Sequence, residues 1–190
     1  NHNALVSIEG RNLTQEKYSL AFIYIVRDPR DIVISYSNFD KKLSIDEVIE
    51  RMNSKNLFCH VSKKNSFDIE ILGSWKFNYF SWKTGIPEIP RLIVRYEDLV
   101  LNTFNTKLKI INFLSSLMRM DVDKEQIKFS IAQSDFSRLQ KLEEKKKFTE
   151  SPKSFFNSGK IGQWKNILAE AQIKEIEDFC KLEMKEQNYL

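Results

Sequence analysis

YIVRDPRDIVISYSNF, residues 24–39, decides the fold: a β-branched apolar run ends on an arginine and turns at once into a capped helix. Tyr24, Ile25 and Val26 close the strand, Asp28 stands where an N-cap is needed, Pro29 suits the first helical position, and Asp31 adds a carboxylate to the first turn. Arg27 therefore falls at the carboxyl end of a strand. Ligands of open α/β sheets bind at such strand ends, and helix amino termini offer unpaired N–H groups and a positive dipole end to anions. Ser35, two turns into the same helix, carries a hydroxyl able to donate a second hydrogen bond. Taken alone, the segment also fits a surface helix whose arginine pairs with Asp28 or Asp31. The rest of the chain shifts the balance toward the anion site.

Around this segment lie 190 residues, 42% hydrophobic and 12% aromatic, enough to bury one sizeable core in a single domain spanning residues 1–190. Thirty Lys and Arg against 26 Asp and Glu leave a net charge of +4, which demands no polyanionic partner but suits a small anionic ligand. No basic stripe with interleaved aromatics is present, so nucleic-acid binding is not indicated. No apolar run approaches the ~18 residues of a spanning helix, so no membrane partner is expected. Cys59 and Cys180 lack metal-ligand spacing and the number of a disulfide scaffold. In a Lys-rich sequence with no secretory leader they are expected to be reduced structural thiols of a cytoplasmic protein, with no metal.

Along the chain, a strand is expected from Leu20 to Val26 and a helix from Pro29 to Phe39. A second helix runs from Ile45 to about Asn53, because Ser44 and Glu47 form a capping box ahead of Val48, Ile49 and Met52. Residues 57–70 are polar and weakly patterned, and Leu72 to Lys83 reads as a helix with Trp75, Tyr79 and Trp82 on a shared, core-facing side. Pro87 and Pro90 frame a turn before a second strand, Arg91 to Arg95, after which YEDL starts a loop. Asn102 or Asn105 caps a helix reaching about Leu117, and Asp123 and Gln126 open another. Residues 134–147 look helical and end in a solvated run, Lys145 to Lys147. The stretch SPKSFFNSGKIGQWKN then leads to a final helix from about Ala169 to Leu182. Strands alternating with helices imply an α/β fold, a parallel sheet flanked by helices.

Five segments in order, YIVRDPRDIVISYSNF, GSW at Gly73 to Trp75, VRYEDL, SDFSRLQKLEE and GKIGQWKN, resemble a cytosolic-type sulfotransferase over nearly the whole chain. The resemblance implies a P-loop-NTPase-like sulfotransferase fold. It also implies transfer of a sulfonate group from 3′-phosphoadenosine-5′-phosphosulfate (PAPS) to a hydroxyl or amine of a small-molecule acceptor. Arg27 and Ser35 match the family's pair on the 3′-phosphate, in agreement with the anion site read from the strand, cap and helix. Tyr96 matches the tyrosine that contacts the adenine, and Ser134 and Phe136 match a hydroxyl and an aromatic on the same base. The family's Arg-Lys-Gly and Gly-Asp-Trp loop, which clamps the 3′-phosphate from the other side, corresponds here to Phe156, Asn157, Ser158 and Gly159 followed by Gly162 and Trp164. Both cationic residues are absent and Gln163 replaces the acid, with Lys160 one residue further on. Each lost hydrogen bond to a charged group costs about 1.5–3 kcal/mol.

His2, followed by Asn3 and Ala4, falls on the family's catalytic histidine, whose near-neutral pKa suits removal of a proton from the acceptor. A histidine at that position also fits a solvent-exposed terminus. The family's phosphosulfate loop, a Pro-Lys-Ser-Gly-Thr-Thr type turn, belongs before His2 and is not in the sequence, so the chain reads as amino-terminally incomplete. On their own these residues are expected to bind PAPS weakly and turn over little, with a separate amino-terminal fragment as one conceivable partner. The alternative is a catalytically inactive or split-gene remnant that binds a 3′-phosphoadenosine nucleotide or serves as an interaction module. A nucleotide kinase would need its own phosphate loop and a magnesium-ligand pair. In the family's dimerisation segment only Lys165 matches, while Ala169, Glu170 and Lys174 fill the other places, which leaves the oligomeric state open. The acceptor is equally open, since its pocket is built partly from residues 57–70 and 147–156.

Overall fold

The computed structural model describes residues 3–8, 11–12, 14–54, 58–63, 66–134, 136–146 and 159–190. Two short antiparallel strands, Ser7–Ile8 (β1) and Arg11–Asn12 (β2), precede Phe22–Val26 (β3), which feeds the helix Pro29–Phe39 (α1). Ile45–Asn53 (α2) follows, then an antiparallel hairpin of Phe58–Lys63 (β4) and Ser66–Ile71 (β5), and Trp75–Thr84 (α3). Arg91–Arg95 (β6) returns parallel to β3, with Phe22 opposite Arg91 and Val26 opposite Arg95. Helices Tyr96–Leu101 (α4), Thr103–Met118 (α5), Lys124–Gln133 (α6), Phe136–Lys146 (α7), Trp164–Ile167 (α8) and Glu170–Glu186 (α9) complete the order.

Local chemistry sets the helix starts. Asp28 accepts a hydrogen bond from Arg30 N at 2.9 Å with Pro29 as the first helical residue, so α1 begins where its cap and proline dictate. Ser44 and Glu47 form the reciprocal capping box of α2. The start of α3 differs from expectation: Ser74 accepts from Phe77 N at 3.2 Å, and Gly73, just before this cap, is itself left-handed at φ 65, so the helix begins at Trp75 rather than Leu72. Leu20 lies outside β3 and is 61% exposed. YEDL continues as α4 instead of a loop, with Glu97 and Asp98 favourably placed in its first turn. The hairpin was unexpected too. Its register pairs Phe58 with Ile71 and Lys63 with Ser66.

The core follows from apolar spacing. Val33 and Ile34 of α1, Val48 and Ile49 of α2, and Leu168 and Ile176 form one buried cluster, against which Trp164 packs. Val26, Trp75, Tyr79, Cys180 and Met184 form a second between β3, α3 and α9. Trp75, Tyr79 and Trp82 are all buried, as their shared helical face predicts. Residues 3–5 are stitched to this frame: Trp82 Nε1 donates to Asn3 O at 2.8 Å, Ala4 N to Ile71 O at 2.7 Å, and Leu5 N to Ser81 Oγ at 2.9 Å. Among the described residues, no helix is long and apolar enough to cross a membrane.

Candidate functional site

The parallel ladder ends at Val26 and Arg95, so the next residue of each strand, Arg27 and Tyr96, emerges at the same edge. The Arg27 guanidinium carbon lies 4.4 Å from the centre of the Tyr96 ring, a cation–π contact that uses the planar faces of both groups. The Arg27 terminal nitrogen donates to Lys160 O at 3.0 Å, and Tyr96 OH donates to Gly159 O at 3.2 Å. Gly159, at φ 59, turns the chain there without a side-chain penalty. Arg27 Nε is buried and has no hydrogen-bond partner. A buried, unpaired guanidinium N–H is costly, so an acceptor that reached it would be held strongly.

The helix that follows holds this edge in place. Arg30, 5% exposed, clasps the Asp28 carboxylate through Nε at 3.0 Å and a terminal nitrogen at 2.7 Å. It also reaches Glu177 at 2.5 Å and Tyr189 O at 2.9 Å, and its guanidinium lies 3.8 Å from the centre of the Trp164 ring. Burial pulls the Arg30 pKa down, but the hydrogen bonds and charges of Asp28 and Glu177 outweigh it and leave the pKa raised. Asp31 is fully buried and accepts from Gly162 N at 2.6 Å and Trp164 N at 3.3 Å. The segment 159–164 is thus pinned by Tyr96, Arg27, Asp31 and Arg30, all on or next to the two strand ends. Gly162, at φ 74, makes the bend that lets both N–H groups face one carboxylate.

The structure brings together Arg27, Tyr96 and Gly159 among the residues picked from sequence. Ser35 lies exposed on α1. Ser134 follows the last residue of α6, where its hydroxyl donates to Ser130 O at 2.8 Å and accepts from Lys107 Nζ at 2.8 Å. Phe136 opens α7. His2, Phe156, Asn157 and Ser158 lie outside the described residues. Among the described residues, no group of three or more His, Cys, Asp or Glu side chains is placed to hold a metal ion.

A family model described as a sulfotransferase domain matches residues 14–188. The chain belongs to the sulfotransferase family. Sulfotransferase 6B1 of Danio rerio is 30% identical over 156 residues, covering 82% of this chain and 49% of that protein. The amine sulfotransferase of Oryctolagus cuniculus is 26% identical over 176 residues, covering 86% and 54%. The chain spans about half the length of these curated relatives. The mouse sulfotransferase SULT7A1 complexed with PAP superposes with a TM-score of 0.66 at 18% identity, covering 89% of this chain and 59% of that one. A retinol dehydratase in complex with androsterone and the inactive cofactor PAP gives 0.64 at 17% identity, covering 87% and 47%. At such identities these structures show a shared fold, here the α/β sulfotransferase fold.

Sequence reading misses four residues of this chain that frame the site: Arg30, Asp31, Glu97 and Tyr189. From sequence Asp31 reads as a first-turn carboxylate or an arginine partner, and the arginine paired with Asp28 is Arg30 rather than Arg27. A carboxylate whose acceptors are used by backbone more than 100 residues away leaves no local pattern. The charge-rich DPRD stretch was the available signal.

Proposed function

We propose that this chain carries the 3′-phosphoadenosine side of a sulfotransferase site, in a protein that transfers sulfonate from PAPS to a hydroxyl or amine of a small acceptor. The observation that carries the reading is Arg27: a guanidinium at the edge of two strand ends, beside the first turn of α1, with a buried and unpartnered Nε. That orphaned donor fits a phosphate. Arg27 donates to the 3′-phosphate, and Ser35 adds a hydroxyl donor from the same helix. Tyr96 lies against the adenine, Ser134 hydrogen-bonds it, and Phe136 stacks on it. Phe156, Asn157, Ser158 and Gly159 complete the contacts to the 3′-phosphate. His2 takes the proton from the acceptor's attacking atom. When bound, PAPS supplies the sulfonate: the acceptor atom bonds to sulfur as the bond from sulfur to the 5′-phosphate oxygen breaks, and 3′-phosphoadenosine-5′-phosphate (PAP) leaves with that electron pair.

A second reading is a module that binds the nucleotide without transferring sulfonate. Asn157 and Ser158, standing where the resemblance implies a cationic pair, favour it. Incubation of the full 190-residue chain with radiolabelled PAPS and a panel of phenols, alcohols and amines separates the two. Label transferred to an acceptor and inhibited by PAP supports the transferase. PAP binding without transfer, also when a fragment carrying a phosphosulfate loop is added, supports the module. Neither binding nor transfer overturns both.

A further inference from the structure

We propose that Glu97 and Tyr189 are positioning residues for Arg27, holding its backbone so that the guanidinium meets a 3′-phosphate; the inference rests on the reading of Arg27 given above. Arg27 is the first residue beyond the last ladder pair, so the parallel sheet no longer fixes its main chain. Two side chains take over. Glu97, 4% exposed, accepts from Asp28 N through Oε1 at 3.0 Å and from Tyr189 OH through Oε2 at 2.8 Å. The same hydroxyl lies 3.4 Å from Val26 O. Glu97 therefore holds the peptide unit after Arg27, while Tyr189 holds Glu97 and borders the carbonyl of the peptide unit before it. With the following plane held, ψ of Arg27 is restrained, and with it the direction in which its side chain leaves the backbone.

Tyr189 is itself held on every side. Its N–H donates to Met184 O at 2.9 Å, its carbonyl accepts from Arg30 at 2.9 Å, and the Arg95 guanidinium lies 4.8 Å from its ring centre. Asn188, at φ 54, supplies the left-handed turn that swings Tyr189 back from the end of α9. Burial, followed by the hydrogen bond and charge of Glu97, raises the phenol pKa, so the hydroxyl keeps its proton as a donor. A residue almost at the end of the described chain thus reaches the turn between β3 and α1.

A role in stability alone and a role in positioning make different demands on nucleotide selectivity. Tyr189→Phe keeps the ring and removes only the hydroxyl, and Glu97→Gln keeps the shape and removes the charge. The full chain and each variant are titrated with PAP and with adenosine 5′-phosphate, which lacks the 3′-phosphate, and folding is verified by thermal melting. In both variants the preference for PAP is expected to fall about five-fold, the loss of roughly one net hydrogen bond, while affinity for adenosine 5′-phosphate holds. Arg27→Ala is the control and removes the preference altogether. Equal weakening of both nucleotides, or an intact preference in variants where Arg27→Ala abolishes it, overturns the positioning role. An intact preference in Arg27→Ala itself overturns the reading of Arg27, and the positioning role with it.

Discussion

Replacing Asp31 by Asn should loosen the segment 159–164 more than any other isosteric change in the site. The carboxylate is fully buried and both oxygens accept main-chain N–H groups, Gly162 at 2.6 Å and Trp164 at 3.3 Å. Asparagine offers one oxygen and one NH2 group, so the shorter bond survives only as a neutral one and the other N–H faces a second donor. Losing one charge-assisted hydrogen bond removes about 1.5–3 kcal/mol, and leaving a half-buried N–H unpaired adds about 1 kcal/mol, the low end of the cost for a buried donor. A total of about 2.5 kcal/mol is the conservative end, and for a chain of this size it lowers Tm by about 5–10 °C. Far-UV circular dichroism on wild type and Asp31→Asn measures it directly. A Tm within about 2 °C of wild type would refute the claim that this carboxylate anchors the segment.

Arg30→Lys should cost about 3–5 kcal/mol in urea unfolding, because a single ammonium cannot serve Asp28, Glu177 and Tyr189 O at once and leaves Asp28 buried without its bidentate partner. Among glycines, Gly162→Ala meets no atom within 4 Å and should lose only about 1–2 kcal/mol to its left-handed backbone. Gly85→Ala places its Cβ against Ser81 O and Leu5 and should lose more in the same assay. Cys180 is 1% exposed and burial pushes its pKa from 9.0 up to about 12, so in a Cys59→Ser background a thiol reagent at pH 8 should label it only after unfolding. Because the folded thiol holds its proton more tightly than the unfolded one, its contribution to stability is complete below pH 9.0 and drains away as pH rises toward about 12. Tyr24, Tyr79 and Tyr189, all raised by burial first, act in the same direction, so unfolding free energy should fall on the alkaline side.

What was legible in the sequence was local. Asp28 before Pro29, Ser44 with Glu47, and the 75, 79, 82 aromatic spacing each encode their outcome within one or two helical turns, and all three stand in the structure. The parallel pairing of β3 and β6 followed from strand–helix alternation, and Arg27 and Tyr96 meet because their strands end in register. The β4–β5 hairpin was readable in half: Phe67, Ile69 and Ile71 alternate with Asp68 and Glu70, but Phe58 to Lys63 mixes apolar and polar residues on both faces. The helical start at Tyr96 was hidden because four residues, YEDL, are too few to show a period. Of the network of Arg30, Asp31, Glu97, Glu177 and Tyr189, the sequence shows only the charge-rich DPRD stretch and none of its pairings. Its members are joined across 69 to 159 positions, and their partners are largely main-chain groups that every residue carries.

Whether Arg27 anchors a 3′-phosphorylated adenosine nucleotide at the two strand ends is decided by calorimetric titration of the chain with PAP, wild type against Arg27→Ala. Saturable binding by the wild-type chain is expected, weakened by the substitution a hundred-fold or more, about 3 kcal/mol for a lost pair of charge-assisted hydrogen bonds. Binding of equal strength by both proteins, with both folded, would contradict that anchoring role.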